Sequence, residues 1–149
     1  MKLILKSFNV VLTALLAVLG FSSCINDEDE LDMYGAPFAD YIIIGNVSSA
    51  ETGKPIKDIH VTLHSEYYEN ADESTTDVDG NYKLIDKGDS PNDTVTLQVA
   101  FSDTDGDENG AFNDTTVTVK IPQSKLSGGK GWYSGEATET VDMKLQPKK

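Results

Sequence analysis

The sequence predicts an all-β protein of the sandwich type. Apolar residues alternate with polar ones in several short segments, which is the period of a half-buried strand. Glycine, proline, asparagine and aspartate residues cluster between these segments, where a chain turns. Beyond Ser23 no segment shows the 3.6-residue period of an amphipathic helix. We therefore expect two packed sheets with about seven strands in all.

The first two predicted strands are joined by a tight connection. Tyr41–Val47 is an apolar run and predicts the first strand, while Ile59–Leu63 alternates and predicts the second. The connection over Ser48–Lys57 contains Gly53, which adopts a positive φ at no steric cost, and Pro55, whose ring fixes its own φ. This arrangement is typical of neighbouring strands in a sandwich.

A polar turn precedes the next predicted strand. Asp77 and Asp79 favour an Asx turn, Gly80 suits a left-handed position, and Tyr82 and Leu84 then alternate towards the core. Calcium binding by the two aspartates is the alternative, but the turn explains the glycine and the alternation without a ligand. Two polar segments, Tyr67–Thr76 and Asp86–Asp93, are predicted as a loop and a turn, and the remaining predicted strands are Thr94–Phe101, Thr115–Ile121 and Val141–Leu145.

The two histidines of the chain lie in the second predicted strand. His60 and His64 are four residues apart, which corresponds to about 13 Å along a strand. Two side chains at that separation do not share one zinc ion at its usual bond lengths. We therefore expect both histidines to face solvent and not to form a metal site.

Residues 1–23 have the layout of a helical secretory signal peptide. Two lysines precede an apolar run over Val10–Leu19, and small residues and then Cys24 follow it. The run is too short and ends too abruptly to favour a membrane-spanning helix. An uncleaved anchor is the alternative.

The residues Phe21-Ser22-Ser23-Cys24 resemble the lipobox of bacterial lipoproteins, with Phe21 in place of the usual leucine. The resemblance implies that the Cys24 thiol is acylated and that Cys24 begins the mature chain. An ordinary cleaved signal with an incidental cysteine is the alternative. Residues 24–40 would then comprise the lipidated cysteine, an acidic linker and a lead-in, and residues 41–149 the sandwich domain.

The residues after the cysteine bear on localisation. In some Gram-negative bacteria an aspartate directly after the lipidated cysteine is a signal for retention in the inner membrane. This chain has Ile25 at that position, so we expect it to be in the bacterial outer membrane. Asn26–Glu30 is acidic and looks like the tag that sends some such lipoproteins to the cell surface. A solvated acidic linker explains the same run, since runs of like charge are usually disordered. A surface-exposed and a periplasm-facing protein both remain open.

The composition argues against nucleic acid as a partner. The chain has 12 basic and 25 acidic residues, and without residues 1–23 these become 10 and 25, a formal charge of −15. Nucleic-acid binding depends on basic patches that release counterions. The sequence also lacks arginine, the residue that clamps phosphate in a bidentate manner. Its single cysteine cannot form a disulfide within the chain.

Several turn and packing residues resemble those of a known domain family. They are Gly45, Val47, Gly53-Lys54-Pro55-Ile56, Ile59, Val61, Thr76, Asp77, Gly80 and Tyr82. Together they look like the carboxypeptidase regulatory-like domain, a transthyretin-like β-sandwich of about seven strands. The lipobox, the lead-in Met33-Tyr34-Gly35-x-Pro37 and the late Gly131-Trp132-Tyr133 further resemble the radical SAM-associated lipoproteins, which are encoded beside a radical SAM enzyme.

These resemblances imply a fold and a partner, but no reaction. The regulatory-like domain is a non-catalytic accessory module, and the lipoprotein family has no established catalytic residues. The sequence contains no nucleophile motif, Walker loop, HExxH motif or dinucleotide fingerprint. We therefore predict that the protein is not an enzyme. The resemblance implies a structural or interaction role in the envelope, as the partner or modification substrate of a radical SAM enzyme.

The acidic loop, Asp103–Asp114, is the densest candidate for chemistry and for the protein's one possible cofactor, calcium. Calcium takes six to eight oxygen ligands, and alternating acidic residues followed by a glycine supply them at a sharp turn. A full EF-hand is excluded because Thr116 stands where the bidentate glutamate belongs, and flanking helices are missing. The candidate ligands of a looser, weak site are Asp103, Asp105, Asp107, Asn109 and Asp114. A solvated acidic hairpin is the alternative.

Trp132 and Tyr133 lie in the glycine-rich segment Gln123–Gly135, which is predicted to be a flexible loop. Adjacent aromatic rings on such a loop suit the stacking of a sugar, so these two residues are the candidate contacts of a glycan-binding module. A lone tryptophan beside the last strand of a domain more often closes the open end of the core, and this is the interpretation that we favour for Trp132. A ligand-binding module for calcium or a glycan is therefore the second hypothesis for function, and another envelope protein is a further candidate partner.

Overall fold

The structure is a computed structural model and describes residues 35–65, 72–106 and 108–148. The predicted signal peptide, Cys24 and the acidic linker lie outside these ranges and stay predictions. No helix within the described ranges is long and apolar enough to cross a membrane. The described strands are β1 (Phe38–Ser49), β2 (Ile59–His64), β3 (Asp72–Thr75), β4 (Asn81–Asp89), β5 (Thr94–Asp103), β6 (Thr115–Pro122), β7 (Ser127–Lys130), β8 (Tyr133–Thr140) and β9 (Met143–Leu145), with one 3-10 turn at Gln123–Lys125.

The strands form two sheets. Sheet 1 has the order β4-β1-β8-β7, and β9 also pairs with β1. Sheet 2 has the order β3-β2-β5-β6. β1 runs parallel to β8 and then to β9, and the other paired strands are antiparallel. The predicted all-β sandwich is confirmed, with more strands than the expected seven or so.

One apolar core lies between the two sheets, as the alternation predicts. β5 occupies the middle of sheet 2 and turns Val95, Leu97, Val99 and Phe101 inward, each at most 5% exposed. The Phe101 ring packs edge to face on Tyr82 of sheet 1, with 5.5 Å between ring centroids. The other buried apolar residues are Ala39, Tyr41, Ile43, Val47, Ile56, Ile59, Val61, Leu63, Leu84, Phe112, Ile121, Ala137 and Leu145.

The structure corrects three predicted loops. β3 lies inside the predicted loop Tyr67–Thr76, because its residues pair with β2 in an antiparallel register. β4 continues to Asp89 through a segment predicted as a turn. β7 and the start of β8 form a hairpin inside the segment predicted to be a flexible loop. In each case pairing with a neighbouring strand overrides a polar or glycine-rich local sequence.

The predicted turn before β4 is confirmed. Asp77 Oδ1 accepts the backbone N–H groups of Asp79 at 2.9 Å and of Asn81 at 2.8 Å. These bonds to the ionised form lower the pKa of Asp77, the bond from Asn81 most strongly. Gly80 has a φ of 75°, and Gly53 in the first connection has a φ of 69°. Both glycines therefore occupy the left-handed positions that the sequence predicts.

The backbone of another segment approaches β1 closely at Gly45. A Cβ atom built on Gly45 would lie 2.0 Å from the carbonyl oxygen of Val141. The Tyr82 hydroxyl donates to the same oxygen at 2.7 Å, and the Val141 N–H donates to the carbonyl of Ile44 at 2.8 Å. This contact joins β1 and β4 to the connection between β8 and β9.

We predict that Gly45→Ala destabilises the domain by about 3 kcal/mol or more, because the added methyl group collides with backbone and not with a movable side chain. Gly53→Ala is the control: unlike Gly45, it has a φ that is unfavourable for alanine, but no atom lies within 4 Å of the added Cβ. Urea denaturation of both variants measures the difference. Equal losses would show that the close approach to Val141 is not a stabilising constraint.

Candidate functional site

A tight hairpin turn presents Trp132 to solvent. Lys130 of β7 pairs with Tyr133 of β8, which leaves Gly131 and Trp132 as the two residues of the turn. Gly131 has a φ of 61°, the requirement at the first position of a type II′ hairpin turn. Gly135 lies farther along β8, where a Cβ would approach the Ser127 carbonyl oxygen at 2.1 Å. The glycine-rich sequence therefore builds a close hairpin.

Three aromatic residues lie at this turn and at the start of β1, and we call them the aromatic surface: Phe38, Trp132 and Tyr133. Phe38 opens β1 and pairs with Tyr133 in the parallel register, with 5.3 Å between ring centroids. The Phe38 N–H donates to the Trp132 carbonyl at 2.9 Å, which ties the turn to β1. Trp132 is 45% exposed and Phe38 is 40% exposed. Trp132 therefore does not close the core, and the interpretation favoured from the sequence is wrong.

A carboxylate borders the aromatic surface. Asp40 lies two residues after Phe38 on β1, and its Oδ2 accepts the Tyr133 hydroxyl at 3.4 Å. Its Oδ1 accepts the backbone N–H of Gly88 at 3.0 Å. Partial desolvation and the charges of Asp40 and Glu136 raise the pKa of Tyr133, so its hydroxyl stays protonated and can donate. The arrangement offers aromatic faces next to a fixed hydrogen-bond acceptor.

Behind this surface lie two buried carboxyl groups, Asp86 and Asp89, which we call the acid pair. Asp86 is 1% exposed and Asp89 is 2% exposed. The register explains why both point inward: Asp86 pairs with Tyr41 and Asp89 with Ala39, so β4 contains one extra residue there. The extra residue makes a β-bulge in β4. Gly88 lies in this bulge and has a positive φ of 75°.

The acid pair is electrostatically unusual. Burial, followed by the charge of Asp89 and a side-chain hydrogen bond with it, raises the pKa of Asp86 to about 7. Neither Asp86 Oδ2 nor the hydroxyl of the fully buried Tyr41 has a hydrogen-bond partner within the described residues. A proton on Asp86 lets it donate to Asp89 and removes one of two buried like charges. Asp86 therefore holds a proton up to about neutral pH.

Sequence reasoning missed the acid pair, although one signal was present. Tyr82 and Leu84 alternate inward, and the same period places Asp86 inward as well. The Asp86–Asp93 segment is polar and contains a proline, which favoured a turn. Asp89 could not be found by period, because the bulge shifts it onto the inner face.

The acidic loop lies elsewhere, after β5. Asp103 Oδ2 accepts the Phe112 N–H at 2.6 Å, and Asp114 Oδ1 accepts the Asp103 N–H at 3.4 Å. The Asn109 side-chain amide donates to Asp105 and, at 3.3 Å, to Asp58. The loop is thus partly held by its own hydrogen bonds.

The predicted calcium ligands are only partly brought together. Asp107 lies outside the described residues, and Asp114 is exposed. Asp103 Oδ1 and Asp105 Oδ1 are buried without a hydrogen-bond partner in the described ranges. In those ranges no three His, Cys, Asp or Glu side chains are arranged to hold a metal ion. Calcium binding by the loop therefore stays a prediction.

The histidines occupy the face of β2 that points away from the core. His60 lies 3.8 Å from a Glu73 carboxylate oxygen, and the His64 ring nitrogen lies 3.1 Å from the Thr62 hydroxyl. Each histidine has its own neighbours, and both are partly rather than fully exposed.

Comparison with known proteins bears on the fold. No protein-family model and no curated protein matches the chain. Among solved structures it is similar to Klebsiella pneumoniae 5-hydroxyisourate hydrolase, at 14% identity and a TM-score of 0.47, over 73% of this chain and 92% of that one. It is also similar to (S)-allantoin synthase, at 14% identity and a TM-score of 0.40, over 72% of this chain and 42% of that one.

The comparison contradicts the prediction that this protein is not an enzyme, because both solved structures are enzymes by name. That prediction relied on resemblance to a non-catalytic accessory domain, and a fold alone does not determine whether a protein is an enzyme. At 14% identity the likeness concerns the fold alone, so neither reaction is transferred to this chain.

We predict that Asp86→Asn stabilises the domain at pH 8 by about 1 to 3 kcal/mol and flattens its stability between pH 5 and 8. The folded-state pKa of Asp86, about 7, exceeds its usual value of 3.8, so the folded state binds the proton more tightly. In the wild type, the contribution of this proton to folding stability is fully present below pH 3.8, the usual pKa, and is lost as the pH rises to about 7. Urea denaturation at several pH values measures it, with the exposed Asp79→Asn as the charge-matched control. A pH dependence unchanged by Asp86→Asn would contradict the shifted pKa.

Proposed function

We propose that the protein is a lipid-anchored envelope protein that binds a neutral carbohydrate through its aromatic surface. The observation that carries the proposal is the exposure of Trp132 at the tip of a tight hairpin, whose backbone is hydrogen-bonded to Phe38 of β1. Neighbouring large aromatic side chains are seldom exposed on the surface of a soluble domain. Such exposed patches often mark binding sites.

The aromatic surface has the two elements that sugar recognition needs. Aromatic faces pack on the apolar C–H face of a pyranose ring, and a carboxylate accepts hydrogen bonds from its hydroxyl groups. Asp40 is held by the N–H of Gly88 and the hydroxyl of Tyr133. The hairpin turn is held by the bond from Phe38 to the Trp132 carbonyl, so little conformational entropy is lost on binding.

The charge of the protein favours a neutral ligand. Asp40 and Glu136 occupy paired positions on β1 and β8 beside the aromatic residues. The chain after residue 23 carries a formal charge of −15 and contains no arginine. Uronic-acid and sulfated polysaccharides would therefore be repelled, whereas hydroxyl groups of a neutral sugar can donate to the carboxylates.

We predict that Trp132→Ala weakens retardation of the protein in gels containing dextran, mannan or xyloglucan by about tenfold or more, because stacking area is lost. Val78→Ala, which truncates a 76% exposed apolar residue in a distant turn, is the matched control and should bind as the wild type does. Alginate and pectin should retard neither protein. Equal retardation of both variants, or preference for the acidic polymers, would contradict the proposal.

The membrane anchor and the enzyme partner belong to the same proposal. Cys24 would carry the acyl chains, and two chains together give stable attachment to the outer membrane, whereas one does not. The radical SAM enzyme implied by the lipoprotein resemblance would act on this chain or bind it. Whether the domain faces the cell surface or the periplasm determines which carbohydrates it can reach.

We predict that the protein extracted from its own membrane has a mature chain beginning at acylated Cys24. Intact mass with peptide mapping measures both the start and the acylation. Any additional mass located within residues 41–149 would support modification by the radical SAM enzyme. A chain that keeps Met1, or an unmodified Cys24, would contradict the anchor.

Calcium binding by the acidic loop is a second candidate function, favoured by the two buried oxygens of Asp103 and Asp105 that lack a partner in the described ranges. Crowded carboxylates gain most from a cation when water is excluded from them. We predict that millimolar calcium raises the melting temperature by a few degrees and that Asp105→Ala with Asp107→Ala abolishes the rise. Magnesium at the same concentration is the control. An unchanged melting temperature in wild-type protein would remove this candidate.

A further inference from the structure

Asp40 connects the acid pair with the aromatic surface. One carboxylate oxygen accepts the N–H of Gly88, which lies in the bulge between Asp86 and Asp89, at 3.0 Å. The other accepts the Tyr133 hydroxyl at 3.4 Å. One side chain therefore contacts both the bulge and the aromatic surface.

Nothing in the described ranges neutralises the acid pair by an ion pair, because neither carboxyl group forms a salt bridge there. The neighbouring groups are acidic or neutral, and the one lysine of this segment, Lys87, is exposed. The groups that face the pair or its contacts are Asp40 and Tyr41 of β1, Ser65 after β2, Asp72 of β3 and Tyr133 and Glu136 of β8. Two charges buried together in this setting repel strongly.

We propose that the acid pair is a proton-operated latch: the proton shared by Asp86 and Asp89 holds the bulge against Asp40, and loss of that proton weakens carbohydrate binding by the aromatic surface. The inference rests on the proposed function and adds its regulation. Binding is then strongest at acidic pH and falls as the pH rises past neutrality.

The bulge is where a shift of β4 meets least obstruction. Gly88 has a positive φ and no atom lies within 4 Å of the position of a Cβ, so a small displacement of its backbone towards that side is not blocked by neighbouring atoms. Repulsion between the two ionised carboxylates displaces the chain at this glycine and withdraws its N–H from Asp40. Asp40 then has one fixed donor fewer, and the Tyr133 hydroxyl loses a positioned acceptor.

The test follows the full chain, purified in detergent, by NMR between pH 5 and 9. The carboxyl carbon of Asp86, the amide of Gly88 and the ring protons of Tyr133 should titrate with one common midpoint. In Asp86→Asn the last two signals should no longer move, whereas in Asp79→Asn they should move as in the wild type. Tyr133 ring signals that do not shift as Asp86 titrates would overturn the latch.

Binding to dextran, mannan and xyloglucan is measured on the same samples. The wild type and Asp79→Asn should lose about fivefold or more in affinity between pH 5.5 and 8.5, and Asp86→Asn should keep a constant affinity. A pH dependence that survives in Asp86→Asn would overturn the regulation. If no polysaccharide binds at any pH, the proposed function fails, while the NMR titration still decides whether the latch exists.

Discussion

The pairing of β1 with three other strands is the constraint on which the rest of the structure depends. β1 pairs with β4 along one edge and with β8 and then β9 along the other. It changes partner next to Gly45, where the Val141 carbonyl enters the space that a side chain would fill. This exchange fixes the register of β8, and with it the position of Tyr133 opposite Phe38. The same strand places Tyr41 opposite Asp86 on its other edge.

The strands with simple alternation could be predicted from sequence because their period alone determines which side chains are buried. β5 is the clearest case, with apolar residues inward and threonine or glutamine outward over most of its length. The turns at Gly53 and Gly80 were also predictable, since few residues other than glycine adopt their φ values. Short strands such as β3, Asp72–Thr75, were not, because their sequence is polar and only the neighbouring strand holds them.

Only part of the candidate site could be predicted from the sequence, because its residues come from distant parts of the chain. Trp132 and Tyr133 are conspicuous as adjacent aromatic residues, but Asp40 lies 93 positions from Tyr133. Only the parallel pairing of β1 with β8 brings them together, and parallel pairing leaves no local signal. The acid pair is hidden for another reason: a bulge breaks the period that would otherwise assign Asp89 to the outer face. The fold thus places the proposed binding surface and a titratable group on neighbouring strands.

Trp132 is the only tryptophan of the chain, so its fluorescence reports directly on the aromatic surface. The most direct measurement is a titration of the full chain with mannan, dextran and xyloglucan at pH 6, following tryptophan emission and its quenching by iodide. The account predicts a saturable change in emission with at least one of the three, together with protection from iodide, because a stacked sugar covers the indole ring. Emission and quenching that stay unchanged with all three would contradict carbohydrate binding at this surface.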